Sequence, residues 1–297
     1  MKIDNFTLLI PVRGRQYNLP KVIEFYAELE CKKIIIDSSE TKYSDIQSLT
    51  NAGFEYRHFP KMNFYDKMQL NVALIDTKYM LDAPDDDYYR PEAIKECVAF
   101  LESDERYVVC DGVYLNLEID HILPKYAGSF FELPHKKDYR KRLTGIFSRL
   151  YYARNHSVVR TEVTKAVFNF IGDENPALRS VDFLDRYFTF IAALYGNFKV
   201  LPILYSLKKG GNDRIINQVN PKELNRAPWK DNLNRKYLGP LSKLVSEIKS
   251  NEEDYSFVLK IFKDNAVGRG VARDGDPRGI ISKHLPEINK IKRIMWS

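Results

Sequence analysis

Three consecutive carboxylates, Asp85-Asp86-Asp87, follow a short apolar run and Pro84. Two carboxylates about 4 Å apart repel by about 4 kcal/mol at an effective dielectric of about 20. Held together at one site, they favour a hard cation, which takes oxygen ligands and bridges to phosphate. The plain alternative is a solvated turn before a helix, where Asp is common. Two more polar sets follow apolar runs earlier in the chain: Pro11-Val12-Arg13-Gly14-Arg15 and Asp37-Ser38-Ser39. Arginines, a strand-end aspartate and an acidic triplet, gathered at one place, suit a phosphorylated ligand held through a divalent cation. Lys67 and the pair Lys208-Lys209 are further cations that could reach such a ligand.

What would gather them is a parallel sheet. Phe6–Ile10, Lys33–Ile36, Phe54–Phe59, Tyr79–Leu81 and Tyr107–Cys110 read as strands. Between them, Val22, Ile23, Tyr26 and Leu29 recur at helical spacing, Met68–Ile75 reads as helix, and Pro91–Leu101 opens with Pro at a helix start. Short apolar strands alternating with amphipathic helices predict βαβ units and a mostly parallel sheet covered on both faces. In such a sheet ligands bind outside the carboxyl ends of the strands, where these polar residues stand. Further on, 120–139 reads as a long loop and Tyr139–Ala153 as helix. Ser157–Val159 reads as a strand, Thr161–Ile171 as a helix capped by Thr161, Ser180–Tyr195 as a helix, and Phe198–Leu207 as a strand. Beyond residue 207 the pattern is helical with Pro and Gly punctuation.

The 297 residues carry a net charge of +6, unevenly spread. Residues 208–297 hold 19 Lys and Arg against 11 Asp and Glu, whereas residues 1–207 sum to −2. A near-neutral body with a basic last third is unlike a uniformly basic nucleic-acid binder, and no nucleic-acid recognition motif is visible. No apolar run approaches the roughly 20 residues of a membrane span. Met1–Asn5 leads straight into a strand without the pattern of a signal peptide. Cys31, Cys97 and Cys110 lack the spacing of a disulfide framework or zinc site, so a cytoplasmic protein is expected. His58, His121, His135 and His156 have no metal-ligand spacing, and the glycines at 268, 270 and 275 follow no strand, so they make no dinucleotide fingerprint.

With these residues in view, the chain resembles inverting glycosyltransferases of the GT-A fold, in the broad family-2 class. Phe6-Thr7-Leu8-Leu9-Ile10-Pro11-Val12-Arg13-Gly14-Arg15 is similar to that family's opening strand and turn. Ile34-Ile35-Ile36-Asp37-Ser38-Ser39 resembles its second strand, and Lys78 to Tyr88 resembles the strand leading to its Asp-x-Asp motif. Val181-Asp182-Phe183-Leu184-Asp185-Arg186 stands where the family has its Glu-Asp helix start, with Val181 in place of the Glu, and Gly196-Asn197-Phe198-Lys199-Val200 follows like the family's next strand.

The resemblance implies an α/β, Rossmann-like GT-A domain over residues 1–207, with a basic, mainly helical extension over 208–297. It implies Mn2+ or Mg2+ on Asp85 and Asp87, and a nucleoside-diphosphate sugar bound by Pro11, Val12, Arg13, Arg15, Asp37, Ser38, Lys67, Asp85 and Asp86. Asp182 maps onto the catalytic base, with Asp185 as the alternative. The acceptor is expected to be a saccharide or a lipid-linked one, with peripheral membrane contact through the basic part and no nucleic acid. The competing readings are a sugar-nucleotide nucleotidyltransferase, for which Gly14 alone is a poor glycine-rich loop, and a non-catalytic nucleotide-sugar or polyanion-binding module.

Overall fold

The computed structural model describes residues 1–117, 122–123, 138–149, 155–172, 181–209, 241, 243–247, 257 and 278–296. Its strands are β1 (Lys2–Val12), β2 (Glu30–Asp37), β3 (Phe54–His58), β4 (Tyr79–Asp82), β5 (Asp87–Tyr89), β6 (Tyr107–Leu117), β7 (Ile122–Leu123), β8 (Val158–Arg160) and β9 (Asn197–Lys209). Its helices are α1 (Leu19–Tyr26), α2 (Ile46–Asn51), α3 (Phe64–Ala73), α4 (Pro91–Ser103), α5 (Tyr139–Arg149), α6 (Thr161–Ile171), α7 (Val181–Tyr195), α8 (Arg278–Lys283) and α9 (Leu285–Trp296).

The sheet runs β3-β2-β1-β4-β8-β6-β9-β5, with β7 paired to β6. The half formed by β3, β2, β1 and β4 is parallel. Next to it β8 is antiparallel to both β4 and β6, β9 returns parallel to β6, and β5 lies antiparallel to β9. Consequently β1, β2, β3, β4, β6 and β9 all end at one edge, and the reversed strands β8 and β5 begin there. That edge is where the chemistry collects.

Both faces of the sheet are covered, as near-continuous apolar strands require. Successive residues of β1 point to opposite faces: Leu8 and Ile10 join the core under α1 and α4, while Leu9 joins the one under α3, α6 and α7. β2 does the same, with Ile35 on the first side and Ile34 and Ile36 on the second. A third apolar cluster forms where Ile288, Ile291, Ile294 and Met295 of α9 cover Tyr88, Val113, Leu115, Leu204 and Leu207.

The helix starts follow local chemistry. Pro lies in the first turns of α1 and α4, where its missing N–H costs nothing. The Asn63 side chain caps α3 by accepting from the Asp66 amide at 3.0 Å. Three local expectations change. Thr161 is the first residue of α6 rather than its cap, the cap position being taken by Arg160. The span expected as loop at 120–139 contains β7, which pairs with the far end of β6, while the rest of it up to residue 137 lies outside the described residues. The turn at the acidic triplet gives way at once to the three-residue strand β5. Among the described residues no helix is long and apolar enough to cross a membrane.

Candidate donor site at the sheet edge

Beyond β1 the chain must turn sharply, and Gly14 does so at φ +67, a conformation costly to residues with a Cβ. Its amide donates to Ser39 Oγ at 2.8 Å, which ties the loops after β1 and β2 together. Pro11 and Val12 end β1, and Arg13 is exposed beside them.

Asp37 ends β2 fully buried, yet it is held as a carboxylate. Oδ1 accepts from the Ser39 amide at 2.8 Å, and Oδ2 accepts from Tyr56 Oη at 2.6 Å and from Gln16 Nε2. Burial alone would raise its pKa; the bonds from Ser39, Tyr56 and Gln16 outweigh that and bring it below the usual carboxylate value. Tyr56 also accepts from the Tyr43 amide at 3.0 Å, and its ring stacks on His58 at 6.4 Å. Gln16 and Tyr56 carry no motif of their own. Their signal is positional: Gln16 follows the turn after β1, and Tyr56 sits on the neighbouring strand two residues before its end.

The triplet is divided among separate partners. Asp85, 1% exposed, accepts from Arg15 and, at 3.0 Å, from Asn18 Nδ2. Arg15 also binds Asp86 at 2.6 Å. Burial pushes the Asp85 pKa up to about 6 against the opposing pull of Arg15 and Asn18. Asp87 opens β5 opposite Lys208 of β9, and their side chains pair at 2.8 Å. The Lys208 ammonium also lies 5.3 Å from the centre of the Tyr114 ring. Among the described residues no three His, Cys, Asp or Glu side chains converge on one point. The triplet is therefore a set of hard oxygens held in place by two cations.

Lys67 lies under this edge rather than on it. It is 1% exposed, and its Nζ donates to the Val12 carbonyl at 2.7 Å and to Ser38 Oγ at 3.0 Å. Burial lowers its pKa to about 8, with Asp37 and Asp82 opposing the fall.

His156, which has no metal-ligand spacing in the sequence, is brought to the edge because β8 is reversed. Its Nδ1 stands 2.9 Å from the Asp82 carbonyl, which only accepts, so Nδ1 carries the proton. Nε2 then accepts from Asn155 Nδ2 at 3.2 Å. Burial and the nearby Lys208 bring its pKa down to about 3, so the ring is neutral near pH 7.

Asp182 and Asp185 stand in the opening turns of α7. That helix ends at Tyr195, and β9 starts at Asn197, at the edge opposite the site. Ser180, expected as the first residue of this helix, lies outside the described residues, as do His121, His135 and the glycines at 268, 270 and 275.

No protein-family model matches the chain, and no curated protein matches it. Solved structures do. S. aureus TarS (residues 1–349) in complex with UDP-GlcNAc is similar with a TM-score of 0.52 at 16% identity, over 98% of this chain and 88% of that one. The same TarS fragment in complex with UDP gives 0.49 at 15% identity over 98% and 90%. CMP:2-keto-3-deoxy-manno-octonic acid synthetase complexed with CTP gives 0.40 at 10% identity over 68% and 90%. The first likeness shows that this chain shares the α/β fold of TarS residues 1–349 across nearly its whole length.

Proposed function

We propose that the protein is a glycosyltransferase that moves a sugar from a nucleoside-diphosphate sugar to a hydroxyl acceptor. One observation carries the reading: the ends of β1, β2, β4 and β9 and the start of β5 bring Arg13, Arg15, Asp37, the acidic triplet and Lys208 to one edge. An anchored carboxylate at Asp37 suits a nucleobase N–H, and the cations suit a diphosphate. The shared fold with a protein that binds UDP-GlcNAc supports a donor of the same class.

The triplet fits a divalent cation by the chemistry of its oxygens. Mg2+ is commonly held by one or two carboxylates together with substrate phosphates, so a three-residue cage is unnecessary. Asp85 and Asp87 would hold Mn2+ or Mg2+, which when bound stabilises negative charge on the departing diphosphate. Arg15 and Lys208, displaced from the carboxylates, turn to the phosphate oxygens. Arg13 adds a further positive charge at the mouth of the site. Asp182, at the start of α7, accepts the proton of the attacking hydroxyl, with Asp185 as the alternative base. Attack opposite the leaving group, through an oxocarbenium-like transition state, inverts the anomeric centre.

The acceptor is a saccharide, free or lipid-linked, and the basic C-terminal part rests on an anionic surface. In support, α9 exposes Lys290 and Arg293 while burying Ile288, Ile291 and Met295. Charge reversal at Lys290 and Arg293 lowers association with anionic liposomes if that contact is real; unchanged association removes it. The test of the activity is product chemistry with a panel of nucleotide sugars and Mn2+ or Mg2+. Release of nucleoside diphosphate supports transfer, and pyrophosphate from a nucleoside triphosphate and a sugar phosphate would mark a nucleotidyltransferase instead.

A further inference from the structure

A lysine near a helix start is ordinarily solvated, because burying an ammonium group is expensive unless it is paired and hydrogen-bonded. Lys67 is buried all the same, in the first turns of α3. Its two bonds go to places adjacent in space and distant in sequence: the carbonyl of Val12, the last residue of β1, and the hydroxyl of Ser38, the first residue after β2. The Ser38 amide donates to the same Val12 carbonyl at 3.0 Å, so three groups meet there. Four charged residues face the ammonium from the surrounding elements. Asp37 comes from the end of β2, Asp82 from the end of β4, Asp85 from the turn before β5, and Arg13 from the turn after β1. Three are acidic and one is basic.

We propose that Lys67 is a positioning residue of the donor site. Its ammonium group fixes the ends of β1 and β2 to α3, and it supplies the buried positive charge that lets Asp37, Asp82 and Asp85 stay close together beneath an anionic ligand. The inference rests on the nucleotide-sugar reading of this edge. Lys67 acts through Val12 and Ser38 and does not itself touch the nucleotide. A neutral Lys67 leaves Asp37, Asp82 and Asp85 facing an incoming diphosphate with one buried positive charge fewer, so the protonated form is the one that binds.

The experiment measures UDP binding to the full chain by calorimetry at pH 7 and pH 9, for wild type, Lys67→Met and Lys67→Arg. Methionine keeps the aliphatic length without the charge, and arginine keeps the charge without a titration in this range. With the Lys67 pKa at about 8, one wild-type molecule in about eleven keeps its proton at pH 9, so affinity falls about tenfold between the two pH values. Lys67→Met binds at least tenfold more weakly at pH 7 and loses that pH step, which also separates Lys67 from titration of the uracil. Lys67→Arg binds without the step and more tightly than Lys67→Met. If wild type and Lys67→Met share one pH profile, or bind equally at pH 7, the inference is overturned while the nucleotide reading stands. If wild type fails to bind UDP at either pH, the nucleotide reading is overturned and this inference with it. Should Lys67→Met not fold, a flat wild-type profile is by itself sufficient to overturn the proposal.

Discussion

Tyr56→Phe removes one oxygen and leaves the ring that stacks on His58. The lost hydroxyl donates to the fully buried Asp37 carboxylate at 2.6 Å and accepts from the Tyr43 amide. A hydrogen bond to a charged group contributes about 1.5–3 kcal/mol, so the variant should lose about 2 kcal/mol at neutral pH. Across 297 residues that shifts Tm by about 3 °C. Because the folded pKa of Asp37 lies below its unfolded value, its stabilising contribution is present above the unfolded value and is lost as pH falls through the folded one. Removing a donor to the carboxylate weakens that dependence. Urea unfolding of wild type and variant at pH 7 and at progressively lower pH should therefore give two curves that converge in acid. UDP affinity should drop in parallel at pH 7, since a carboxylate with one anchor fewer presents its free lone pair less well to a base. Equal stabilities at pH 7, or a gap that stays constant into acid, would refute this account of how Asp37 is held.

Asp87→Asn should abolish the part of donor binding that depends on Mn2+ or Mg2+ and break the pair with Lys208; calorimetry with and without the cation reads it, and unchanged cation dependence rejects Asp87 as a ligand. Asp182→Asn should bind UDP like wild type and lose transfer; if it keeps full activity, the base is Asp185. His156→Asn can keep the donor to the Asp82 carbonyl, whereas His156→Ala cannot, so the alanine variant alone should lose about 1 kcal/mol in urea unfolding. Because the ring is neutral near pH 7, neither variant should alter a pH–rate profile between pH 6 and 8.

The parallel half of the sheet was legible because its strands are apolar on both faces and its helices keep a helical period. Hence Arg13, Arg15, Asp37 and the triplet could be placed at one edge from order alone. The reversed strands were harder. β5 has three residues and β8 three, too few for any periodicity, so nothing local announced that Asp87 would face Lys208 or that His156 would lie behind Asp82. Lys67 shows a different limit. Its burial is set by what surrounds it in space, the ends of three strands, and a window of neighbouring residues holds none of that. The position of Arg15 suits a phosphate ligand, and the structure adds that its bonds already go to Asp85 and Asp86. The acidic cluster and its basic partner are thus one unit, separated by 70 and 71 positions in the chain.

The C-terminal helix gives the molecule a particular order of construction. Lys21 of α1 donates to the carbonyl of Met295, 274 positions away, and Arg90 pairs with Glu287 at a separation of 197. Contacts of such span form late, since the loop entropy must be spent before they return anything. During synthesis β5 and β9 have an uncovered apolar surface until α9 has left the ribosome. A chain truncated before Leu285 lacks that cover and should therefore show slow folding and aggregation.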